Sequence, residues 1–87
     1  MRDALMTLMN RYHINIFYSP EDAGYIADVP DLWPCSAFGE TPQEALAEVL
    51  IAIEGWLEVA HEKGLPIPEP RYRPAIYEIH APHPAQT

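Results

Sequence analysis

Residues 41–64 carry the start and stop signals of one long helix, and this element constrains the fold most. Thr41 is a good N-cap, Pro42 suits the first helical position and Glu44 completes a capping box. Gly64 supplies the left-handed residue that commonly follows a last turn. Apolar residues recur between these ends at helical spacing: Leu46, Val49, Leu50, Ile53, Trp56, Leu57 and Ala60. This stripe requires an apolar surface to cover.

The residues before the helix alternate as strands do and would supply that surface. Three strands are predicted, at 12–18, 25–29 and 35–38, with a hairpin-length loop between the first two. Pro30 ends the second strand because proline cannot donate to a ladder. We therefore predict an α+β fold in which one long helix packs on a three- to four-stranded, mainly antiparallel sheet.

The 87 residues suffice for one domain, since each half would be too small to bury a core. We predict an N-terminal arm at 1–11, the folded domain at 12–70 and a proline-rich tail at 71–87 that holds a possible edge strand. Cys35 has no second cysteine to pair with. The N-terminal apolar run is too short for a signal peptide or a membrane span, so we expect a cytoplasmic protein that does not associate with membranes.

The chain is strongly acidic, with a formal net charge of −8 and only five Lys and Arg residues. Nucleic-acid backbones are bound by clustered basic residues, so direct nucleic-acid binding is not expected. An acidic surface favours a basic protein as partner. The charge is also compatible with a simple role in keeping a small protein soluble.

Three motifs stand in one order along the chain. Residues 24–32 read GYIADVPDL, residues 39–46 read GETPQEAL and residues 64–70 read GLPIPEP. Together they resemble the strand-and-turn, helix start and helix exit of the HicB-like antitoxins of type II toxin–antitoxin systems, including the UPF0150-like small domain. The resemblance covers approximately residues 12–70.

The resemblance implies a β-β-β-α-β domain, a partial ribonuclease-H-like fold. It also implies a partner, since such antitoxins neutralise HicA, a small basic toxin that resembles double-stranded-RNA-binding domains and cuts messenger RNA. Many relatives add a C-terminal DNA-binding domain, for which residues 71–87 are too few. The chain also departs from the family pattern at Trp33-Pro34-Cys35, where Pro-Gly-Cys is more usual, and at Glu40, where Asp is commoner.

A metal-dependent nuclease is the catalytic alternative that such a fold invites. It would need carboxylates such as Asp28, Asp31, Glu40 and Glu44 to converge on two metal ions. The helix start already explains two of these four acids, and fold likeness alone is a poor argument for activity. Cys35 is better explained as a core thiol than as a nucleophile, and His80 and His83 are too few ligands for a metal.

We therefore predict an antitoxin-like binding protein with no catalytic residue, metal or cofactor, which occludes the RNA-binding or catalytic surface of a HicA-like toxin. Asp28, Asp31, Trp33 and Glu40 are the candidate partner-binding residues. A homodimer or higher oligomer is expected, because a domain of this size buries little beyond its ordering cost. An orphan oligomeric interaction module without a toxin, and less favourably the nuclease, stay open as alternatives.

Overall fold

The computed structural model describes residues 11–74, which form a three-stranded antiparallel sheet followed by one helix. Its elements are β1 Asn15–Ser19, β2 Gly24–Asp28, β3 Ser36–Gly39 and α1 Pro42–Lys63, and the sheet order is β1-β2-β3. The predicted α+β class is confirmed. Residues 1–10 of the predicted arm and most of the predicted edge strand at 72–79 lie outside the described residues. Residues 72–74 belong to no strand.

The predicted strands are present, but their ends differ. The first strand begins at Asn15 instead of residue 12, because Tyr12 is buried in the core and His13 Nε2 lies 2.6 Å from Asn15 Oδ1. The third strand is Ser36–Gly39 instead of 35–38. A turn joins β1 to β2, and within it Ala23 has a φ of 53°, a left-handed conformation that closes the hairpin.

The strand register separates the sheet into two faces. Ile16, Ala27 and Ala37 are paired across the three strands and lie on the face that α1 covers, with Ala27 fully buried. The next row along the strands pairs Phe17 with Ile26 and Ile26 with Phe38. Neighbouring rows point to opposite faces, so this second row lies on the face away from α1, called the open face below.

The connection from β2 to β3 is a short 3-10 turn, Pro30–Leu32. Leu32 is buried, and its N–H donates to the Val29 carbonyl at 3.0 Å. The Val29 N–H in turn donates to the Cys35 carbonyl at 2.9 Å. The turn is therefore anchored to the core by Leu32 while the following Trp33, which is joined to Pro34 by a cis peptide bond, is left outside.

Helix α1 begins and ends as its sequence predicts. Thr41 Oγ1 accepts the Glu44 N–H at 3.1 Å, as in a capping box. The reciprocal bond of the predicted box is displaced by one residue, since Glu44 Oε1 accepts the N–H of Glu40, which precedes the N-cap, at 2.9 Å. Gly64 adopts a φ of 68° at the other end, and its N–H donates to the His61 carbonyl at 3.2 Å. These caps satisfy backbone groups that a helix otherwise leaves unpaired.

The buried stripe of α1 differs from the predicted one in its first turn. Leu46 was expected in the core but is 39% exposed, whereas Ala45 is fully buried. The reason is a close approach: a Cβ atom on Gly39 would lie 2.2 Å from the Ala45 backbone nitrogen. The remaining buried helix residues, Val49, Ile53, Leu57 and Ala60, were all predicted, and Leu50 and Trp56 pack at the edge of the core.

After α1 the chain returns across the end of the sheet. Tyr12 is buried, and its hydroxyl donates a hydrogen bond to the Pro68 carbonyl. Burial, followed by the negative charges of Asp31 and Glu69, raises the pKa of Tyr12 to about 12. The returning segment is thus pinned to the residues that precede β1. Within residues 11–74, no helix is both long and apolar enough to cross a membrane.

Candidate partner-binding surface

The candidate residue Asp28 lies at one end of the open face. It is the last residue of β2, it pairs with Asn15 and Ser36, and it shares its face with Ile26. It therefore lies on the face opposite to that of Tyr25, as alternation along a strand predicts. Asp28 is half-buried, so its carboxylate is accessible beside the apolar row of the open face.

Trp33 lies next to Asp28 on the rim of a shallow depression. The depression has a volume of about 420 Å³ and is lined by Asp28, Val29, Pro30, Trp33, Pro34, Cys35 and Ser36. Trp33 is 77% exposed, the largest exposed fraction among the large apolar residues of 11–74. A large exposed aromatic ring beside a carboxylate is well suited to anchor a protein partner.

Glu40 is separated from these two residues and lies near the opposite end of β3. It lines a cavity of about 300 Å³ together with Phe38, Glu44 and Glu48. Phe38 belongs to the apolar row of the open face. Glu40 follows Phe38 by two residues, whereas Asp28 pairs with Ser36, two residues before Phe38, so the two acids lie on opposite sides of that row. The Glu40 N–H donates to Glu44 Oε1, but the Glu40 side chain is exposed.

Asp31 has a structural function that the sequence did not reveal. Its Oδ2 atom accepts the backbone N–H of Arg71 at 2.9 Å and that of Tyr72 at 3.0 Å. The ring of Tyr72 in turn lies 4.9 Å, between centroids, from the ring of His13. Asp31 therefore holds the returning segment on the turn after β2. Residues 71 and 72 are distant from Asp31 in the sequence and meet it only in the folded chain. No local sequence pattern therefore predicts this contact.

The open face itself is the main feature that the list of candidate residues omitted. Phe17 is 50% and Phe38 43% exposed, and Ile26 lies between them in the paired row. The Phe38 ring packs over Gly24, since a Cβ atom there would lie 2.4 Å from Phe38 Cζ. The signal was available in the sequence, because apolar residues occupy both alternating positions of β1 and β2. Such a pattern is typical of a sheet that is covered on both faces.

The described residues that were considered for chemistry do not form a reactive site. Cys35 is buried, and burial raises the pKa of its thiol, which disfavours the reactive thiolate. Asp28, Asp31 and Glu40 lie at three different places around the sheet, as described above. Among residues 11–74, no three His, Cys, Asp or Glu side chains are grouped closely enough to hold a metal ion. His80 and His83 lie outside the described residues.

Comparison with known proteins shows that this chain is similar in sequence to a curated protein. Over 53 residues the chain is 40% identical to the UPF0150 protein ssl0259 of Synechocystis sp.. The aligned region makes up 59% of this chain and 73% of the relative. No protein-family model matches the sequence, and no solved structure matches it.

Proposed function

The chain belongs to the UPF0150 family, and from this premise we propose that it is an antitoxin-like protein that acts by binding and not by catalysis. The partner that we propose is a small basic, HicA-type toxin that cleaves messenger RNA. Three motifs support this proposal, because the sequences at 24–32, 39–46 and 64–70 resemble those of HicB-like antitoxins.

The observation that carries the proposal is the composition of the open face. An apolar row, Phe17, Ile26 and Phe38, runs across all three strands, with Asp28 on one side of the row and Glu40 on the other. Trp33 projects beside Asp28. Protein interfaces combine such an apolar centre, rich in aromatic residues, with a polar rim. An acidic rim is complementary to a basic partner.

The mechanism that we propose is occlusion. The net charge of −8 attracts a basic toxin and increases the rate of encounter. Trp33 and the apolar row then exclude water from the contact and hold the toxin in place. A toxin covered in this way cannot present its basic surface or its catalytic residue to RNA. The antitoxin itself contributes no reacting group in this mechanism.

Co-expression tests the proposal directly. The full chain is expressed with the small basic protein encoded beside it, and both growth arrest and co-purification are measured. We expect the chain to abolish growth arrest and to co-purify with the basic protein in a complex that high salt weakens. A basic protein that stays toxic and does not co-purify contradicts the proposal. If no such gene lies beside this one, the orphan interaction module becomes the better description.

A nuclease assay tests the remaining alternative, in which the chain is a metal-dependent nuclease. Purified chain is incubated with RNA and Mg²⁺ or Mn²⁺, in parallel with the Asp28→Asn variant. Under our proposal, the RNA stays intact in both samples. Cleavage that persists through purification and is lost in the Asp28→Asn variant contradicts it.

A further inference from the structure

The apolar row of the open face is a narrow strip with polar residues on both of its sides. The row runs at right angles to the strands, because its members are cross-strand partners: Phe17, Ile26 and Phe38. Two positions towards the end of β2, the same face carries a polar row of three paired residues: Asn15, Asp28 and Ser36. Two positions the other way, Ser19 pairs with Gly24, and Glu40 follows β3 at that level.

A cylinder fits this strip better than a second sheet does. The strip spans about 10 Å from β1 to β3 at the usual strand spacing. Helix residues at positions i, i+4 and i+7 also span about 10 Å, so one of them meets each strand. A helix is about 10–12 Å wide with its side chains, and Asp28 and Glu40 lie four positions, or about 13 Å, apart along the strands. A flat sheet would instead cover Asp28 with apolar side chains, which is costly for a carboxylate.

The charges around the strip favour basic residues on both flanks of such a helix. Asp28 is the acid of the polar row. The other side is more acidic, since the depression next to Phe38 is lined by Glu40, Glu44 and Glu48. Asp22 adds a carboxylate at the hairpin, where it accepts the Ser19 hydroxyl at 2.8 Å. None of β1, β2 and β3 contains a Lys or Arg residue.

A basic corner adjoins the face at the start of β1. His13 Nε2 lies 2.6 Å from Asn15 Oδ1, at the β1 end of the polar row. Arg11 and Arg73 line a depression together with His13. A Lys or Arg side chain of the partner is repelled from this corner, so on this side of the strip its place is over β2, at Asp28.

Trp33 strengthens the attraction for a basic side chain at Asp28. The two residues line the same depression, and the Trp33 side chain is 77% exposed. Lys and Arg are attracted to the face of an indole ring as well as to a carboxylate. One basic residue on the flank of the helix is therefore offered both contacts at this end of β2.

The same charges disfavour two other occupants. A second copy docked through its own open face would bring another Asp28 and another Glu40 against these acids, with no strand Lys or Arg to compensate. A nucleic acid would bring negative phosphates to the same acids. A basic protein element gains from them on both sides of the strip.

We propose that the open face binds an amphipathic α-helix of the basic partner, which lies across the strands along Phe17, Ile26 and Phe38. Its apolar residues at i, i+4 and i+7 pack one on each strand, and Lys or Arg residues on its two flanks pair with Asp28 and Glu40. The inference rests on the proposed function, because it names the part of the partner that the open face receives. Occlusion alone would not require a helix.

A designed peptide tests the proposal on the full chain. The probe is a stapled helical peptide with leucine at i, i+4 and i+7 and lysine on both flanks. Its comparison peptide has the same residues in an order that breaks the apolar stripe. We expect fluorescence anisotropy to show at least about tenfold weaker binding of the reordered peptide, and a similar loss for Phe17→Gln with the original peptide. Ile51→Gln is the matched control on α1, where Ile51 is 63% exposed, and it should bind normally.

Charge reversal tests the two flanks. A peptide with glutamate in place of lysine on one flank should bind the native chain at least about tenfold more weakly and recover affinity with Asp28→Lys or Glu40→Lys. Glu62→Lys makes the same charge change at the exposed end of α1 and should give no such recovery. Circular dichroism should show every variant folded.

Equal binding of the two lysine peptides overturns the proposal, as does recovery in Glu62→Lys to the same extent as in Asp28→Lys. A native dimer that Phe17→Gln dissociates also overturns it, since a second copy would then occupy the open face. If the peptide does not bind while the chain still neutralises the co-expressed basic protein, the helix inference is wrong and the proposed function stands. If the peptide binds as expected but the basic protein stays toxic, the proposed function is the one that fails.

Discussion

The carboxylate of Asp31 accepts a hydrogen bond from the backbone N–H of Arg71 at 2.9 Å, although forty positions separate the two residues. The same oxygen accepts the N–H of Tyr72 at 3.0 Å. A single acidic residue in the turn after β2 therefore orders the segment that follows the helix exit. The acidity of this turn serves the fold at Asp31 and remains available to a partner at Asp28.

Replacement of Asp31 by alanine should release this segment. Hydrogen bonds to a charged acceptor are worth about 1.5–3 kcal/mol when buried, and partial exposure reduces this, so we expect a loss of about 1–2 kcal/mol in the free energy of urea unfolding. Hydrogen exchange at the Arg71 and Tyr72 amides should become faster. Asp28→Ala is the control, because its carboxylate accepts neither bond. Unchanged exchange at both amides in Asp31→Ala would contradict this assignment.

We expect the contribution of Tyr12 to the free energy of unfolding to be lost at alkaline pH. Its pKa is raised to about 12, first by burial and then by Asp31 and Glu69, whereas an unfolded tyrosine titrates near 10. Between these values the unfolded chain loses a proton that the folded chain retains. The contribution of Tyr12 is therefore complete below about pH 10 and is lost as the pH rises towards 12.

Tyr12→Phe isolates this effect. The variant lacks the hydrogen bond to the Pro68 carbonyl, so we expect it to be about 1 kcal/mol less stable than the native chain at pH 9. That difference should shrink at pH 11, because only the native chain has the Tyr12 proton to lose. Urea unfolding at the two pH values measures it. A difference that stays constant or widens would show that the Tyr12 hydroxyl is not perturbed in this way.

Gly39 should tolerate no side chain. A Cβ atom at this position would lie 2.2 Å from the Ala45 nitrogen and 2.7 Å from the Glu44 carbonyl carbon, both of them backbone atoms of the first helical turn. We expect Gly39→Ala to lower the free energy of unfolding by about 2–3 kcal/mol, the upper range for overpacking. Ser36→Ala, at the exposed start of the same strand, should change it by less than about 0.5 kcal/mol. Equal effects of the two substitutions would rule out the close contact.

The same contact explains where sequence reasoning about the helix succeeded and where it failed. The ends of α1 were predictable because capping is local: Thr41, Glu44 and Gly64 act within a few residues of themselves. The register of α1 on the sheet is not local. Because Gly39 brings β3 against the first turn, the residue facing the sheet there must be small, so Ala45 is buried and Leu46 is outside.

The candidate partner-binding residues were likewise only partly predictable from the sequence. The exposure of Trp33 and the face of Asp28 were predictable, since a proline-bounded turn and strand alternation determine them. The role of Asp31 was not, because its partners Arg71 and Tyr72 are close only in the folded chain. Glu40 was grouped with the turn residues, but it lies beside Phe38 at the other end of β3. That separation follows from the extended strand between them.

Trp33 should be important for partner binding and nearly neutral for stability. Its side chain is 77% exposed, so Trp33→Ala removes little buried surface and should change the free energy of unfolding by less than about 0.5 kcal/mol. Aromatic anchors at protein interfaces commonly contribute 2 kcal/mol or more. We therefore expect the affinity for the basic partner to fall by at least about thirtyfold, as measured by calorimetry. Ile51→Ala is a matched control on the solvent side of α1, where the native side chain is 63% exposed. If both variants bind as the native chain does, the contact lies elsewhere than the turn after β2, whereas a loss confined to Trp33→Ala places it there.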